Sequence, residues 1–376
     1  MKFLENFTPE LTIESPGRIN IIGEHTDYNL GYVLPTAIGK KITLEFSKNN
    51  SDTECNVYTK GYEKGITVDL SKLEISSVEW ENYILGVLNE ISKRSDKLKG
   101  FNCTIQSNLP VGSGVSSSAA LECGLAFGLN ELFGLGLSKL DIVELSRDAE
   151  HTFVGTKCGI MDQYASVMSK EGNVILLDCD TLEHTYIPIN IKPYKILLLN
   201  TNVAHSLATS QYNVRREECE TAVSIIAKKY PAVKSLRNAT IEMIEECKSE
   251  MSDNVYDRCT YVVAENNRVL EAIEALKAND LKKLGALLYT THDGLSSLYE
   301  VSCPELDFLV EFSKGNDQVL GARLMGGGFG GCTINIVHED AVETYIKEAS
   351  EAYEKKFNIK LSSFEALPSQ GTSIKK

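Results

Sequence analysis

No stretch of this 376-residue sequence is apolar for long enough to cross a bilayer; the longest candidate, residues 121–137, is interrupted by Glu122, Asn130 and Glu131. Positive charge is in deficit, with 38 Lys and Arg against 52 Asp and Glu, and the net charge of −14 opposes non-specific attraction to nucleic acid or to an anionic membrane. The ten cysteines form no C-x-x-C pair and no disulfide framework, which points to reduced, buried thiols in a cytosolic protein. Residues 1–20 lack the apolar core of a signal peptide, and no repeat or low-complexity segment is present. These absences exclude membrane, secreted and nucleic-acid-binding classes, and a cytoplasmic location is expected. What remains is a chain that is 43% hydrophobic and 24% charged, ordinary globular composition, long enough for about two domains at roughly 150 residues each.

Apolar periodicity organises the chain into an α+β pattern. Ile13, Ile19, Ile21 and Ile22, then Val33 through Ile38, read as short strands around the polar loop GEHTDYNLG. Residues 101–105 alternate with period two, and a helix follows with Leu121, Leu125, Leu129 and Leu132 on one face. Gly124 and Gly128 weaken that helix by roughly 1 kcal/mol each relative to Ala, which close approach of a neighbouring element would explain. Residues 173–177 and 194–200 read as strands. From about residue 195 the character shifts to long helices over 206–230, 256–277 and 280–290. A glycine-rich turn, GGGFGG, then joins segment 319–325 to an alternating strand at 332–336, with a final amphipathic helix from Val342 to Tyr353. The boundary is placed near 195.

Three stretches could carry chemistry. In LPVGSGVSSSAAL, at 109–121, glycines let backbone N–H groups turn toward a ligand, and a helix start adds free donors and the positive end of its dipole. A simple N-cap is the alternative, although one serine would serve for that and Ser116, Ser117 and Ser118 are all present. The common phosphate loop G-x-x-x-x-G-K-[ST] is absent, as are H-R-D and D-F-G. Gly326, Gly328 and Gly331 satisfy G-x-G-x-x-G, but a strand follows where a dinucleotide site requires a helix, so they mark a close backbone approach instead.

The second stretch, PGRINIIGEHTDYNLGYVLP, crowds Arg18, Glu24, His25 and Asp27 into a loop whose donors and acceptors suit a polyhydroxylated ligand or, alternatively, simply solvent. A metal site at His25 and Asp27 is disfavoured, because no second His stands at ligand spacing. The third stretch, AEHTFVGTKCGIMDQY, sets Asp162 among Gly159, Ile160 and Met161. Asp162 could cap a helix, complete a buried ion pair, or accept a proton from a hydroxyl nucleophile; the local residues do not choose. His151, His184, His205, His292 and His338 are widely separated and read as surface or cap positions.

Taken together, these stretches resemble the GHMP kinases, and within them the galactokinase family. The likeness rests on GRINIIGEHTDYNLGYVLP at 17–35, LPVGSGVSSSAAL at 109–121, CGIMDQYASV at 158–167, TNVAHSLATSQYNVRRE at 201–217 and LMGGGFGGC at 324–332, in matching order across almost the whole chain. The departures are apolar for apolar, Val115 for the usual Leu and Leu324-Met325 ahead of the glycines.

The resemblance implies the GHMP kinase fold, α+β throughout. An N-terminal domain, 1–195, would carry the sugar and ATP motifs, and a ferredoxin-like C-terminal domain, 196–376, the glycine-rich third motif, with the active site in the cleft between them. It implies phosphorylation of the C1 hydroxyl of galactose by ATP, with Mg²⁺ as cofactor and no obligate protein partner. Asp162 and Arg18 would be catalytic. Glu24, His25, Asp27, Gly159, Asp162 and Tyr212 would hold the sugar. Gly112, Ser113, Gly114, Val115, Ser116, Ser117 and Ser118 would wrap the ATP phosphates, and Ser118 and Glu150 would ligate the metal. The third motif would pack on the ATP loop. An acidic sugar would call for an added Arg or Lys, which GEHTDYN lacks. A non-catalytic sensor is also disfavoured, because some such relatives lack two residues after the serine run, which is unbroken here.

Overall fold

The computed structural model describes residues 1–61, 63–110, 112–204 and 208–375; Val111, in the glycine-serine stretch, and His205, Ser206 and Leu207, in the stretch from 201, lie outside the described residues. Strand Leu11–Asn20 pairs antiparallel with Pro35–Lys48, which pairs with Phe101–Ser107. Glu54–Thr59 joins Phe101–Ser107 in parallel, and Lys64–Asp69 completes that side of a six-stranded sheet. Helices Glu79–Ser92, Ser117–Phe133, Lys139–Ala149 and Met161–Met168 form a layer over it. A second sheet of four strands runs in the order Val319–Leu324, Gly330–His338, Tyr194–Ala204, Ser362–Ala366. Long helices Asp253–Lys277 and Leu281–Ser297 accompany it.

Strand Tyr194–Ala204 thus begins the second sheet beside the expected boundary at 195. The chain end then returns to the first sheet. Ser373 and Ile374 pair with Glu14 and Ile13, and Thr372 Oγ1 lies 2.9 Å from Ser15 Oγ. The two sheets also share one apolar core, in which Ile21, Ile22 and Leu34 belong to the same cluster as Ile196, Leu288, Ile334 and Ile336. An apolar seam of this kind holds the two sheets in a fixed relation and so fixes the distance between motifs far apart in sequence.

The helix Ser117–Phe133 shows why its glycines are there. A Cβ on Gly124 would fall 2.6 Å from Leu44 Cδ1, and one on Gly128 would drive into the Phe46 ring. The helix therefore lies directly on strand Pro35–Lys48, and its N-terminus is held at the depth of the site. Gly128→Ala is expected to destabilise the protein by about 1–3 kcal/mol through overpacking, despite its gain of roughly 1 kcal/mol in helix propensity. Urea unfolding checks this, and an unchanged or raised midpoint would show that the ring can yield.

All ten cysteines are free thiols, nine of them buried and Cys158 partly exposed. Among the described residues no helix is long and apolar enough to cross a membrane. His292 is not at the surface. It is 4% exposed, and its Nδ1 accepts from the backbone N–H of Leu324 at 3.2 Å, because it packs beneath the third motif.

Candidate active site

A β-bulge between Pro16 and Arg18 breaks the register of strand Leu11–Asn20 and re-aims Arg18 out of the sheet. The Arg18 guanidinium meets the Asp162 carboxylate side-on, Nε to Oδ1 at 2.7 Å and Nη2 to Oδ2 at 2.9 Å, and Nη1 donates to Gly114 O at 2.6 Å. Burial pulls the Arg18 pKa down, but the charges of Asp162, Glu24 and Asp27 reverse this and leave it raised. The paired arrangement fixes the guanidinium plane and the carboxylate together. The structure therefore makes Asp162 half of an ion pair, and it still leaves that side chain 27% exposed.

Ser116 occupies the N-cap of helix Ser117–Phe133 with φ +57° and makes no capping bond; its hydroxyl donates to Asp162 Oδ2. The first N–H groups of that helix are consequently left without a side-chain acceptor, the condition for anion binding. Ser113 is also turned away, donating to Pro110 O at 2.8 Å. Of the serines expected around phosphates, Ser117 and Ser118 are the two that face an open cavity. It measures about 370 Å³ and is lined by apolar and aromatic side chains including Ile42, Trp80, Tyr83 and Leu121.

Arg18, Glu24, His25, Asp27, Gly159, Asp162 and Tyr212 all line one small cavity of about 40 Å³, closed from the other side by Gly326 and Gly327. All seven sugar-site and catalytic residues expected from the sequence thus converge. Burial holds His25 down at about 3, so its imidazole is neutral. Its Nδ1 lies 2.9 Å from Tyr28 Oη, while Nε2 is buried with no hydrogen-bond partner. An orphaned ring nitrogen in a polar cavity calls for a ligand hydroxyl or water.

Burial, reinforced by the neighbouring Asp162 charge, pushes Asp27 up to about 7. Gly159 faces it so closely that a Cβ would overlap the Asp27 carboxylate. Because the folded pKa is raised, the native state holds a proton between about pH 4 and pH 7 that the unfolded chain has released. Asp27 therefore costs stability as pH rises through that window, by roughly 4 kcal/mol in total. The stability of wild type relative to Asp27→Asn should fall from pH 4 to pH 8; denaturant titrations at several pH values measure it, and a flat difference would contradict the buried, protonated state.

The third motif closes the cleft. Gly326 lies against the glycine-serine loop, close enough that a Cβ would stand 3.2 Å from Gly114 O. Glu24 accepts from the Gly326 N–H at 2.9 Å and from Arg323 Nη1 at 3.0 Å. Arg323 was not among the residues expected at the site, nor were Cys158, Met161, Trp80 and Tyr83. The one available signal was a lone Arg inside the otherwise apolar segment 319–325.

Glu150 begins a π-helical turn, Glu150–Val154, and sits 8% exposed, accepting from Gln163 Nε2 at 3.2 Å. Beside it Glu122 is fully buried, and neither of its carboxylate oxygens has a hydrogen-bond donor. Burial pushes both carboxyls up. The Glu150 carboxyl and the Ser118 hydroxyl are of the oxygen-ligand type that a hard divalent cation takes. Among the described residues no group of three or more His, Cys, Asp or Glu is arranged to hold a metal, and a Mg²⁺ bound chiefly through nucleotide phosphates requires none.

Residues 1–48 match the galactokinase galactose-binding signature, residues 82–170 the GHMP kinases N-terminal domain and residues 272–355 the GHMP kinases C-terminal domain. The sequence is 44% identical to the galactokinase of Thermosipho africanus, over 97% of this chain and 100% of that protein. The chain belongs to the galactokinase family of GHMP kinases. The galactokinase of Thermotoga maritima is 41% identical over 96% of this chain and 99% of its own. Lactococcus lactis galactokinase, solved in complex with galactose, superposes with a TM-score of 0.94 at 34% identity, covering 99% of this chain and 97% of that one. A mevalonate kinase, 19% identical, shares the fold at a TM-score of 0.65, covering 95% of this chain and 99% of its own. The α+β GHMP kinase fold expected from the motifs is the fold observed.

Proposed function

We propose that this protein transfers the γ-phosphoryl group of ATP to the C1 hydroxyl of α-D-galactose, yielding galactose 1-phosphate and ADP. Family membership supports the reaction class. The observation that carries the site assignment is the position of Asp162, which lines the sugar cavity and also accepts from Ser116 at the start of the phosphate-facing helix. One carboxylate thereby stands between the two substrate sites.

In this reading Asp162 orients the C1 hydroxyl and accepts its proton as the new oxygen–phosphorus bond forms and the bridge to the β-phosphate breaks. Arg18 fixes the orientation of the Asp162 carboxylate through its two parallel hydrogen bonds and stabilises charge on the transferred group. Glu24, His25, Asp27 and Tyr212, with the backbone of Gly159, hold the sugar. Residues 112–118 hold the triphosphate, chiefly through the backbone and through Ser117 and Ser118, with the base in the cavity beside Trp80 and Tyr83. Ser118 and Glu150 would hold Mg²⁺, which when bound neutralises phosphate charge. The chain divides near residue 195 and acts in the cytoplasm on small molecules, without an obligate protein partner.

ADP release with Mg-ATP across galactose, glucose, N-acetylgalactosamine, galacturonate, arabinose and mevalonate tests the proposal. Turnover confined to galactose is the expected result. Galactose binding without turnover on any compound would make the protein a sensor, and turnover on a different sugar would overturn the roles of residues 24–27.

A further inference from the structure

Arg323 is the last residue but one of the strand Val319–Leu324, with its side chain 0% exposed. Its guanidinium is divided among four acceptors. Nε donates to Ile21 O at 3.0 Å, Nη2 to Asn20 O at 2.5 Å, and Nη1 to Leu324 O at 2.6 Å and to Glu24 Oε1 at 3.0 Å. Two of these are backbone carbonyls of the segment leading into the sugar loop, and a third is the carboxylate of Glu24, itself only 2% exposed. The same Glu24 oxygen accepts from the Gly326 N–H, the residue whose backbone lies against Gly114 of the ATP loop.

We infer that Arg323 is a positioning residue for sugar recognition. It locks the Glu24 carboxylate and the segment before it onto the start of the glycine loop, so that the sugar loop and the third motif are seated as one unit. Only a planar fork can meet carbonyls and a carboxylate in several directions at once; a lysine ammonium supplies the charge and not the geometry. Without the fork, Glu24 keeps one backbone N–H and is free to leave its rotamer. This inference rests on the reading of the cavity around residues 18–27 as the galactose site.

The test compares wild type with Arg323→Lys, Glu24→Gln and the double variant, by steady-state kinetics and by direct galactose binding. For Arg323→Lys the expected result is a galactose KM and Kd raised at least tenfold, with the ATP KM changed less than threefold. A merely structural role would instead lower kcat through loss of folded enzyme and leave the galactose KM alone, which would overturn the inference. In the Glu24→Gln background, replacing Arg323 should worsen galactose binding by a smaller factor than in wild type, because chiefly its hold on residues 20 and 21 is left to lose; a loss as large as in wild type would also overturn it. If Arg323→Lys does not fold, Arg323→Met combined with Glu24→Gln removes the buried pair without leaving a lone charge, and is judged by the same comparison. Failure of wild type to bind galactose refutes the sugar-site reading and this inference with it, whereas normal wild-type binding with an unaffected Arg323→Lys refutes only the role of Arg323.

Discussion

Asp162→Asn is expected to lower kcat by about 10²–10⁴-fold, the range for loss of a positioned proton acceptor, while galactose binding weakens by no more than roughly 1–2 kcal/mol. The asparagine fills the same volume, and its one carbonyl oxygen, set in the Oδ2 place, can still accept from Arg18 Nη2 and Ser116, although the charge and the bond from Arg18 Nε are lost. What it cannot do is take up the hydroxyl proton. Asp162→Ala is the less informative change. Both changes remove the carboxylate from Arg18, 4% exposed, but alanine also leaves its Nε and Nη2 without any acceptor, and an uncompensated buried charge typically costs about 3–5 kcal/mol of stability. Lost activity in that variant would mix unfolding with chemistry. ADP release and calorimetric galactose binding on Asp162→Asn separate the two, and near-normal turnover would remove Asp162 from the mechanism.

Gly159→Ala should have the second largest effect, raising the galactose KM about 10–100-fold with the ATP KM changed less than threefold. The new methyl group would occupy the position of the Asp27 carboxylate. Either Asp27 swings away, leaving its sugar hydroxyl unpartnered, or the segment from Cys158 to Met161 shifts and moves the wall of the cavity. Overpacking of this kind costs roughly 1–3 kcal/mol, and 1.4 kcal/mol is tenfold in affinity. The φ of Gly159 is not in the left-handed region, so the effect is steric and not backbone strain. A galactose KM unchanged by the substitution would mean that Asp27 does not need its present place to hold the sugar.

Both predictions concern residues that the sequence already singled out, yet the reasons they are informative come from the structure. Asp162 could have been a helix cap, an ion-pair partner or a base while only its neighbours in the chain were known. The side-on contact with Arg18 and the hydroxyl of Ser116 show it to be one partner in an ion pair that lines the small cavity and touches the start of helix Ser117–Phe133. Gly159 stood out only as part of a motif, and its steric role depends on Asp27, which lies far away in sequence. The three serines show the same limit. Their spacing predicts a helix start, but which hydroxyls face the larger cavity depends on Ser116 adopting φ +57° and turning toward Asp162.

Local patterning was sufficient for the elements with strong periodicity: strand Phe101–Ser107, helix Ser117–Phe133, strand Gly330–His338 and helix Asp253–Lys277 all lie where alternation or helical spacing places them. The close-approach role of Gly124 and Gly128 was also legible, since a helix tolerates such residues chiefly when something lies against them. Segments 54–69 and 79–92 were not assigned from the sequence, although Trp80, Ile84, Val87, Leu88 and Ile91 stand at helical spacing; they form a hairpin at the edge of the first sheet and a helix of the layer over it.

The sequence by itself determined the order of the motifs that carry the family resemblance and the polar character of the segment at residues 18–27. These are properties of composition and short-range spacing, where the identity of each residue is the whole of the information. Tertiary structure alone decided that Arg323 seats Glu24, that Trp80 and Tyr83 line the larger cavity beside Ser117 and Ser118, and that the chain end returns to the first sheet. Each of those facts is a pairing across a long stretch of chain, and the partner of a buried charge or an open cavity is set by how the sheets pack.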